Sequence, residues 1–335
     1  MPTLDTLGRP VRDLRISVTD RCNFRCRYCM PREVFDQEWV YLRHTELLTF
    51  EEITRITRLA VELGVEKVRL TGGEPLLRKD VHLLIGMLSG VDGMTDLAMT
   101  TNASVLARRA EALRDAGLQR ITVSLDSIDD EVFRAMNDVD FPVERVLEGI
   151  DVAASLGLGP VKVNAVVQRG VNDHTIEDLA GHFRGTGHTV RYIEYMDVGM
   201  SNGWKLDDVV SAAEIVERIN DRWPLEAVPP SYPGEVATRF RYLDGEGEIG
   251  VIGSVTQPFC GNCTRLRLSA EGQLYTCLFA GTGTDLKGPI RTGASDDDLR
   301  GILEGVWTKR SDRYSERRSE HTPGWERVEM SYIGG

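Results

Sequence analysis

The residues best suited to chemistry fall into two groups of three cysteines. Cys22, Cys26 and Cys29 form C-x3-C-x2-C near the start of the chain, and Cys260, Cys263 and Cys277 form C-x2-C-x13-C near its end. These six are all the cysteines present. Each triplet offers three thiolates, one short of the four ligands that close a structural zinc site or saturate an iron–sulfur cubane. A cubane held by three cysteines keeps one iron open to a non-protein ligand, so two such triplets point to chemistry rather than scaffolding. Zinc lacks a fourth ligand, since His44 is the nearest histidine to the first triplet and none is close to the second. Disulfides suit neither an N-terminus without an apolar signal segment nor a chain of 335 residues that needs no staples.

Composition narrows the partners. The 40 basic and 52 acidic residues give a net charge of -12, which argues against nucleic acid and against anionic membranes. The longest apolar stretches, such as 83–88, are far too short to span a bilayer. A cytoplasmic location is expected, and an anionic substrate needs a local basic pocket within an acidic whole.

The elements that position these groups are regular up to about residue 195. Strand-like runs recur at 14–18, 65–70, 96–100, 120–125, 161–167 and 190–195, separated by stretches of helical period. Ile53, Ile56, Leu59, Ala60 and Leu63 share one face of 50–63, and Val143, Val146, Leu147, Ile150 and Ala154 share one face of 142–156. Strand–helix alternation implies parallel strands with crossover helices, and six units rather than eight imply an incomplete (β/α)6 TIM-like barrel. Functional groups then gather at the carboxyl ends of the strands. The texture changes after Trp223, where prolines at 224, 229, 230 and 233 mark a linker. Short strands at 238–242, 249–252 and 266–268 and a helix near 297–306 follow, and 311–320 reads as a charged, mobile stretch. Two domains are expected, 1–228 as the partial barrel and 229–335 as a C-terminal domain.

Cations inside otherwise apolar strand runs are unusual in a parallel sheet, whose faces are both normally covered. Arg15, Lys67, Arg69, Lys162 and Arg191 are of this kind, and strand alternation directs them inward in a barrel. Arg265 and Arg267 flank Leu266 and project from one strand face, ahead of a hairpin around Glu271-Gly272 that brings Cys277 back toward Cys263. Guanidinium groups so arranged suit polyphosphate.

Cys22-Asn23-Phe24-Arg25-Cys26-Arg27-Tyr28-Cys29, followed by Gly72-Gly73-Glu74-Pro75 after the next strand, resembles the radical S-adenosylmethionine (SAM) superfamily. The second triplet and the terminal Gly334-Gly335 are similar to its GTP 3′,8-cyclase family of molybdenum-cofactor biosynthesis, essentially end to end. The resemblance implies two [4Fe–4S] clusters, one on each triplet. It implies SAM contacts from Tyr28, Gly73, Glu74, Ser124 and Met196, and GTP contacts from Arg15, Lys67, Arg69, Thr100, Lys162, Arg191, Arg265, Leu266 and Arg267. Arg265, Arg267, Gly334 and Gly335 are implied to serve catalysis, the tail reaching cations near Arg15, Arg191 and Arg265. The implied reaction is reductive SAM cleavage, hydrogen abstraction from C3′ of GTP and closure of C3′ onto guanine C8. A flavodoxin- or ferredoxin-type electron donor and a downstream cyclic pyranopterin synthase are the implied partners, the enzyme being a monomer or homodimer. A peptide-modifying radical SAM enzyme would lack the strand-borne cations and the glycine pair, and an electron-transfer protein would saturate its clusters with four cysteines. The chain departs from the family at Ala103, where glycine is common, and at Thr264, where asparagine is frequent.

Overall fold

The computed structural model describes residues 2–318 and 326–334. Its strands are β1 (Asp13–Ser17), β2 (Lys67–Thr71), β3 (Asp96–Thr101), β4 (Arg120–Ser124), β5 (Lys162–Val167), β6 (Thr189–Glu194), β7 (Leu225–Val228), β8 (Thr238–Tyr242), β9 (Glu248–Ile252), β10 (Arg265–Leu268), β11 (Gln273–Tyr275) and β12 (Thr284–Asp285). The helices are α1 (Phe50–Glu62), α2 (Val81–Ser89), α3 (Leu106–Asp115), α4 (Asp130–Asn137), α5 (Val143–Ser155), α6 (Ile176–Phe183), α7 (Ala212–Arg222), α8 (Lys287–Arg291), α9 (Asp296–Thr308) and α10 (Met330–Ile333). Local chemistry sets their ends. Thr49 and Glu52 form a reciprocal capping box on α1, and Ser295 and Asp298 form another on α9.

Among the described residues the strands form one 12-stranded sheet, ordered β12-β11-β10-β1-β2-β3-β4-β5-β6-β9-β8-β7. Strands β1 to β6 are parallel, as the alternation predicts, and hydrogen bonds do not close the sheet. The C-terminal strands extend both edges of this partial barrel. β10 pairs in parallel with β1, and β9 in parallel with β6, so residues beyond 228 continue the sheet. Neither pairing was visible in the sequence, because no strand–helix alternation accompanies it and the partners are far apart along the chain. The expected hairpin is present as antiparallel β10 and β11.

Alternation sorts the side chains. Leu14, Ile16, Val68, Leu70, Leu266 and Leu268 are buried in the core that the strands share with the helices. Asp13, Arg15, Lys67, Arg69, Arg265 and Arg267 occupy the opposite parity and line a cavity. Residues 311–318, read from sequence as mobile, include a 3-10 turn (Tyr314–Glu316) that stacks Tyr314 on Phe279 at 4.3 Å.

Ala103 holds a φ of 59°, the left-handed region where glycine is at ease. This accounts for a family glycine at that position, and here a buried methyl is kept at the expense of strain. Relief of about 1 kcal/mol of left-handed strain nearly balances the roughly 0.8 kcal/mol of a buried methyl. Ala103→Gly is therefore expected to shift unfolding stability by less than about 1 kcal/mol, whereas β-branched Ala103→Val loses about 2 kcal/mol or more; urea midpoints of the two variants check this.

Candidate active site

The first triplet lies on the loop between β1 and α1. Phe24 anchors that loop in the core against Phe133 and Phe141, with ring centroids 6.1 and 5.3 Å away. Arg25 gathers it from within, donating to the carbonyls of Cys22 (2.9 Å), Phe24 (2.8 Å) and Phe35 (3.0 Å). Cys22, Cys26 and Cys29 are half-buried and line the same cavity. Burial, followed by the charge of Glu74, pushes the Cys22 thiol up to about 11. Burial, then the acidic neighbours, pushes Cys26 and Cys29 up as well. Thiols held neutral in this way ionise when they meet cationic iron, which couples cluster binding to proton release. Among the described residues no three His, Cys, Asp or Glu groups converge as a single-ion site does, whereas a cubane spreads its thiolates over separate irons.

Gly72 and Gly73 follow β2. A Cβ on Gly73 would overlap the Arg21 carbonyl, and one on Gly72 would meet the Thr19 carbonyl. The glycines therefore admit the cysteine loop itself, a different close approach from the ligand contact anticipated. Gly73 N–H donates to Thr19 and Glu74 N–H to Arg21, both at 2.8 Å, so an amino group arriving here must be met by carbonyl oxygens. The Glu74 carboxylate is only 1% exposed and accepts from Asn102 N (2.6 Å), Thr101 Oγ1 (2.7 Å) and Leu76 N (3.0 Å). It staples the rim at β2 to the rim at β3, and burial raises its pKa to about 7.

Tyr28, Ser124 and Met196, which the resemblance assigns to SAM, line the cavity. The Tyr28 hydroxyl donates to Asp126 Oδ2 at 2.8 Å, while Asp126 Oδ1 accepts from Val166 N at 2.8 Å. Asp126 thus ties the cysteine loop to β4 and β5, a role that its place after a strand hinted at without specifying. Met196 also packs against a satellite core of Val198, Phe279 and Tyr314.

The inward cations divide into two kinds. Lys67 is paired with Asp96 (3.4 Å) and Asp13 (3.9 Å) and lies on the Tyr232 ring at 4.8 Å. Arg15, Arg69, Arg191 and Arg267 line the same cavity without a carboxylate ion pair among the described residues. Arg69 donates to Thr100 (3.0 Å) and Thr122 (3.1 Å), which places Thr100 beside a guanidinium. Burial and then neighbouring arginines depress Arg15, and bring Arg191 and Arg267 down to about 9. Lys162, also half-buried, falls to about 7 through burial and then Arg191, although it does not line the cavity wall. Arg191 Nε and Asn164 Oδ1, on register-paired residues, are buried without hydrogen-bond partners among the described residues. Such orphans call for a ligand. Leu266 points into the core, which leaves its backbone alone to face a substrate.

The second triplet lines the same cavity. Arg265 donates to Cys263 Sγ at 3.2 and 3.3 Å, and its guanidinium lies 5.0 Å from the Phe259 ring centroid. Burial opposes ionisation of Cys263, but Arg265 and Arg310 outweigh it and hold the thiol at about 6. Burial and then Asp312 push Cys277 up to about 11. Thr264 donates to Asp13 at 2.6 Å, so the departure at this position has a local hydrogen-bond role. Beneath lies a buried ion network that sequence reading missed, in which Arg9 pairs with Asp5 at 2.5 Å and donates to the Cys260 carbonyl at 2.8 Å. Gly334 follows α10 at φ 73°, accepts from Arg267 and abuts Thr71 so closely that a Cβ would overlap its hydroxyl. That contact is with Arg267 rather than with Arg15, Arg191 or Arg265; Gly335 lies outside the described residues.

One cavity takes in both triplets and the inward cations. The residues fit two three-thiolate clusters with a cofactor and an anionic substrate between them.

Glu74 supplies a pH test. Its pKa rises from 4.5 to about 7 on folding, so the unfolded chain releases this proton first and stability falls as pH climbs through that window. Relative to wild type, Glu74→Gln should recover about 2 to 3 kcal/mol between pH 4.5 and 7. Denaturant titrations at both pH values check the sign.

A radical SAM superfamily model matches residues 16–183, and a model described as Molybdenum Cofactor Synthesis C matches 188–316. Among solved structures, SuiB of Streptococcus suis bound to S-adenosylmethionine superposes with a TM-score of 0.63 at 17% identity, covering 95% of this chain and 76% of that one. This likeness is one of fold. Among curated proteins, the GTP 3′,8-cyclase of Acidothermus cellulolyticus is 55% identical over 100% of this chain and 99% of its own length. The GTP 3′,8-cyclase of Staphylococcus epidermidis is 48% identical over 99% and 98%. With identity of this order along its whole length, and with both cysteine triplets facing one cavity, the chain belongs to the GTP 3′,8-cyclase family of the radical SAM superfamily.

Proposed function

We propose that this protein converts GTP to (8S)-3′,8-cyclo-7,8-dihydroguanosine 5′-triphosphate, the first step of molybdenum-cofactor biosynthesis. The observation that carries this reading is the convergence of two three-thiol groups on one cavity that Arg15, Arg69, Arg191 and Arg267 line without a carboxylate ion pair among the described residues. Cys22, Cys26 and Cys29 would hold one cluster and Cys260, Cys263 and Cys277 a second; with SAM bound, the first would supply radical chemistry and the second an anchor for the substrate base. The protein's own groups bind, orient and exclude water. Carbonyl oxygens near Gly73 and Glu74 receive the methionine amino group, with Tyr28, Ser124 and Met196 around the rest of SAM. Arg15, Arg69, Arg191 and Arg267 take the triphosphate, assisted by Thr100. Arg265 balances charge at Cys263, and Gly334, beside Arg267, serves catalysis together with Gly335.

No helix among the described residues is long and apolar enough to cross a membrane. We further assign residues 229–335 as the unit that brings the second cluster, in a cytoplasmic enzyme served by a flavodoxin- or ferredoxin-type donor and followed by a cyclic pyranopterin synthase. Anaerobic reconstitution, incubation with SAM, reductant and each nucleoside triphosphate, and mass analysis of the products test the reading. A cyclised nucleotide from GTP is expected, and its absence with fully loaded clusters would overturn it.

The division among the cations gives a sharper expectation. Arg69→Ala should weaken GTP binding by about 2 to 4 kcal/mol, the cost of stripping one side of a desolvated charge pair. Lys67→Met, whose charge Asp13 and Asp96 already balance, should cost less than about 1 kcal/mol. Anaerobic equilibrium dialysis distinguishes the two. A chain ending at Ile333 should keep its iron content and SAM affinity yet lose at least about tenfold in cyclisation, read by product mass analysis, with partial recovery when a peptide carrying the missing end is added.

A further inference from the structure

We propose that Asp197 is the positioning residue that latches the C-terminal segment over the cavity and so sets where Gly334 sits; the inference rests on reading that cavity as the GTP site. Asp197 follows β6, next to Met196 on the cavity wall, and is 6% exposed. Its Oδ1 accepts from Arg318 Nε at 2.9 Å, and its Oδ2 accepts from the Tyr314 hydroxyl at 2.6 Å and from Arg327 Nη1 at 2.8 Å. One carboxylate therefore gathers three donors from the end of the chain. Arg318 is further held by the rings of Phe279, Tyr314 and Trp204, 5.7, 5.8 and 6.0 Å from its guanidinium.

From that anchor the chain is docked step by step toward the rim. Val328 N donates to the Ala280 carbonyl at 3.0 Å. Glu329 accepts from Met200 N and Ser201 Oγ, both at 2.9 Å, on the loop that Asp197 begins. Met330 packs into the satellite core of Val198, Phe279 and Tyr314, which also receives Met196 and Cys277. Gly334 then accepts from Arg267. One small apolar cluster thus touches a residue of the SAM side, a ligand of the second triplet and the tail, with Asp197 as its ionic fastening. Losing this carboxylate would leave Arg318 and Arg327 without their buried counter-charge, and the segment would gain by moving into water. The reaction would then continue at the SAM side while closure of the nucleotide failed.

The test uses full-length, cluster-loaded Asp197→Asn and Arg327→Gln, the second variant leaving Asp197 and Arg318 in place. Hydrogen exchange without substrate should show the amides of 328–334 exchanging at least tenfold faster in both. The ratio of cyclised nucleotide formed to SAM cleaved should fall about tenfold at unchanged SAM affinity, and Asp197→Glu should recover part of it. Unchanged amide protection together with an unchanged ratio in both variants overturns the latch. So does a loss of iron or SAM affinity in parallel with product, which would mark Asp197 as general scaffolding. A wild type that makes no cyclised nucleotide overturns the GTP reading alone, and the exchange measurement then still decides the latch.

Discussion

Mutual repulsion among arginines inside the open barrel is the constraint on which the remainder of the structure depends. Arg15 feels burial first and then Arg267, Arg265 and Arg69, so its charged form is strongly disfavoured relative to water. A parallel sheet tolerates this because alternate residues of the same strands, such as Leu14, Ile16, Val68 and Leu70, form the apolar core. Each strand serves two environments with period 2. A polyanion entering the cavity relieves repulsion that the fold has already accepted, which favours binding without a new contact having to be built. The net charge of -12 lies elsewhere, and Asp13 and Asp96 bring carboxylate balance to Lys67 and Arg120.

Loops rather than strands carry the reactive groups, and buried carboxylates hold those loops. Glu74 accepts from the Thr101 hydroxyl at the end of β3 and from the Asn102 amide after it, and Asp126 accepts an amide from β5 and the hydroxyl of Tyr28. Glu194, fully buried at the end of β6, accepts from Ala212 N (2.7 Å), Val255 N (2.7 Å) and Thr256 N (2.9 Å). A carboxylate suits this task because its two oxygens take several N–H donors at once, and charge-assisted hydrogen bonds are the stronger kind. Acidic residues at strand ends thus act here mainly as fasteners, leaving carbonyls and thiols to face the cavity.

The two halves of the chain are joined at both edges of the sheet. β10 pairs with β1 and β9 with β6; Cys260 and Cys263 precede β10 and Cys277 follows antiparallel β11, so the second triplet lies at the amino ends of β1 and β10, while the first triplet follows the carboxyl end of β1. The same arrangement brings the Asp5–Arg9–Arg310 network under Cys260 and Cys263. Separation of the two triplets therefore follows the length of β1 and β10, and the tail meets those strands where Gly334 accepts from Arg267.

How much of this was legible in the sequence follows from the range of each interaction. Cysteine spacing specified two three-thiolate loops, strand alternation set the inward parity of Arg15, Lys67, Arg69, Arg191, Arg265 and Arg267, and glycine at 72 and 73 marked a tight rim, because each depends on residues a few positions apart. Tertiary structure decided what those rules do not reach. It buried Leu266 in the core, paired Lys67 with carboxylates while leaving Arg69 without one among the described residues, and turned Gly73 toward the Arg21 carbonyl. It also made 311–318 a docking segment around Asp197. These outcomes rest on partners scores or hundreds of residues away, brought together only when the sheet curves and its edges recruit the last third of the chain; spacing along the chain carries no record of them.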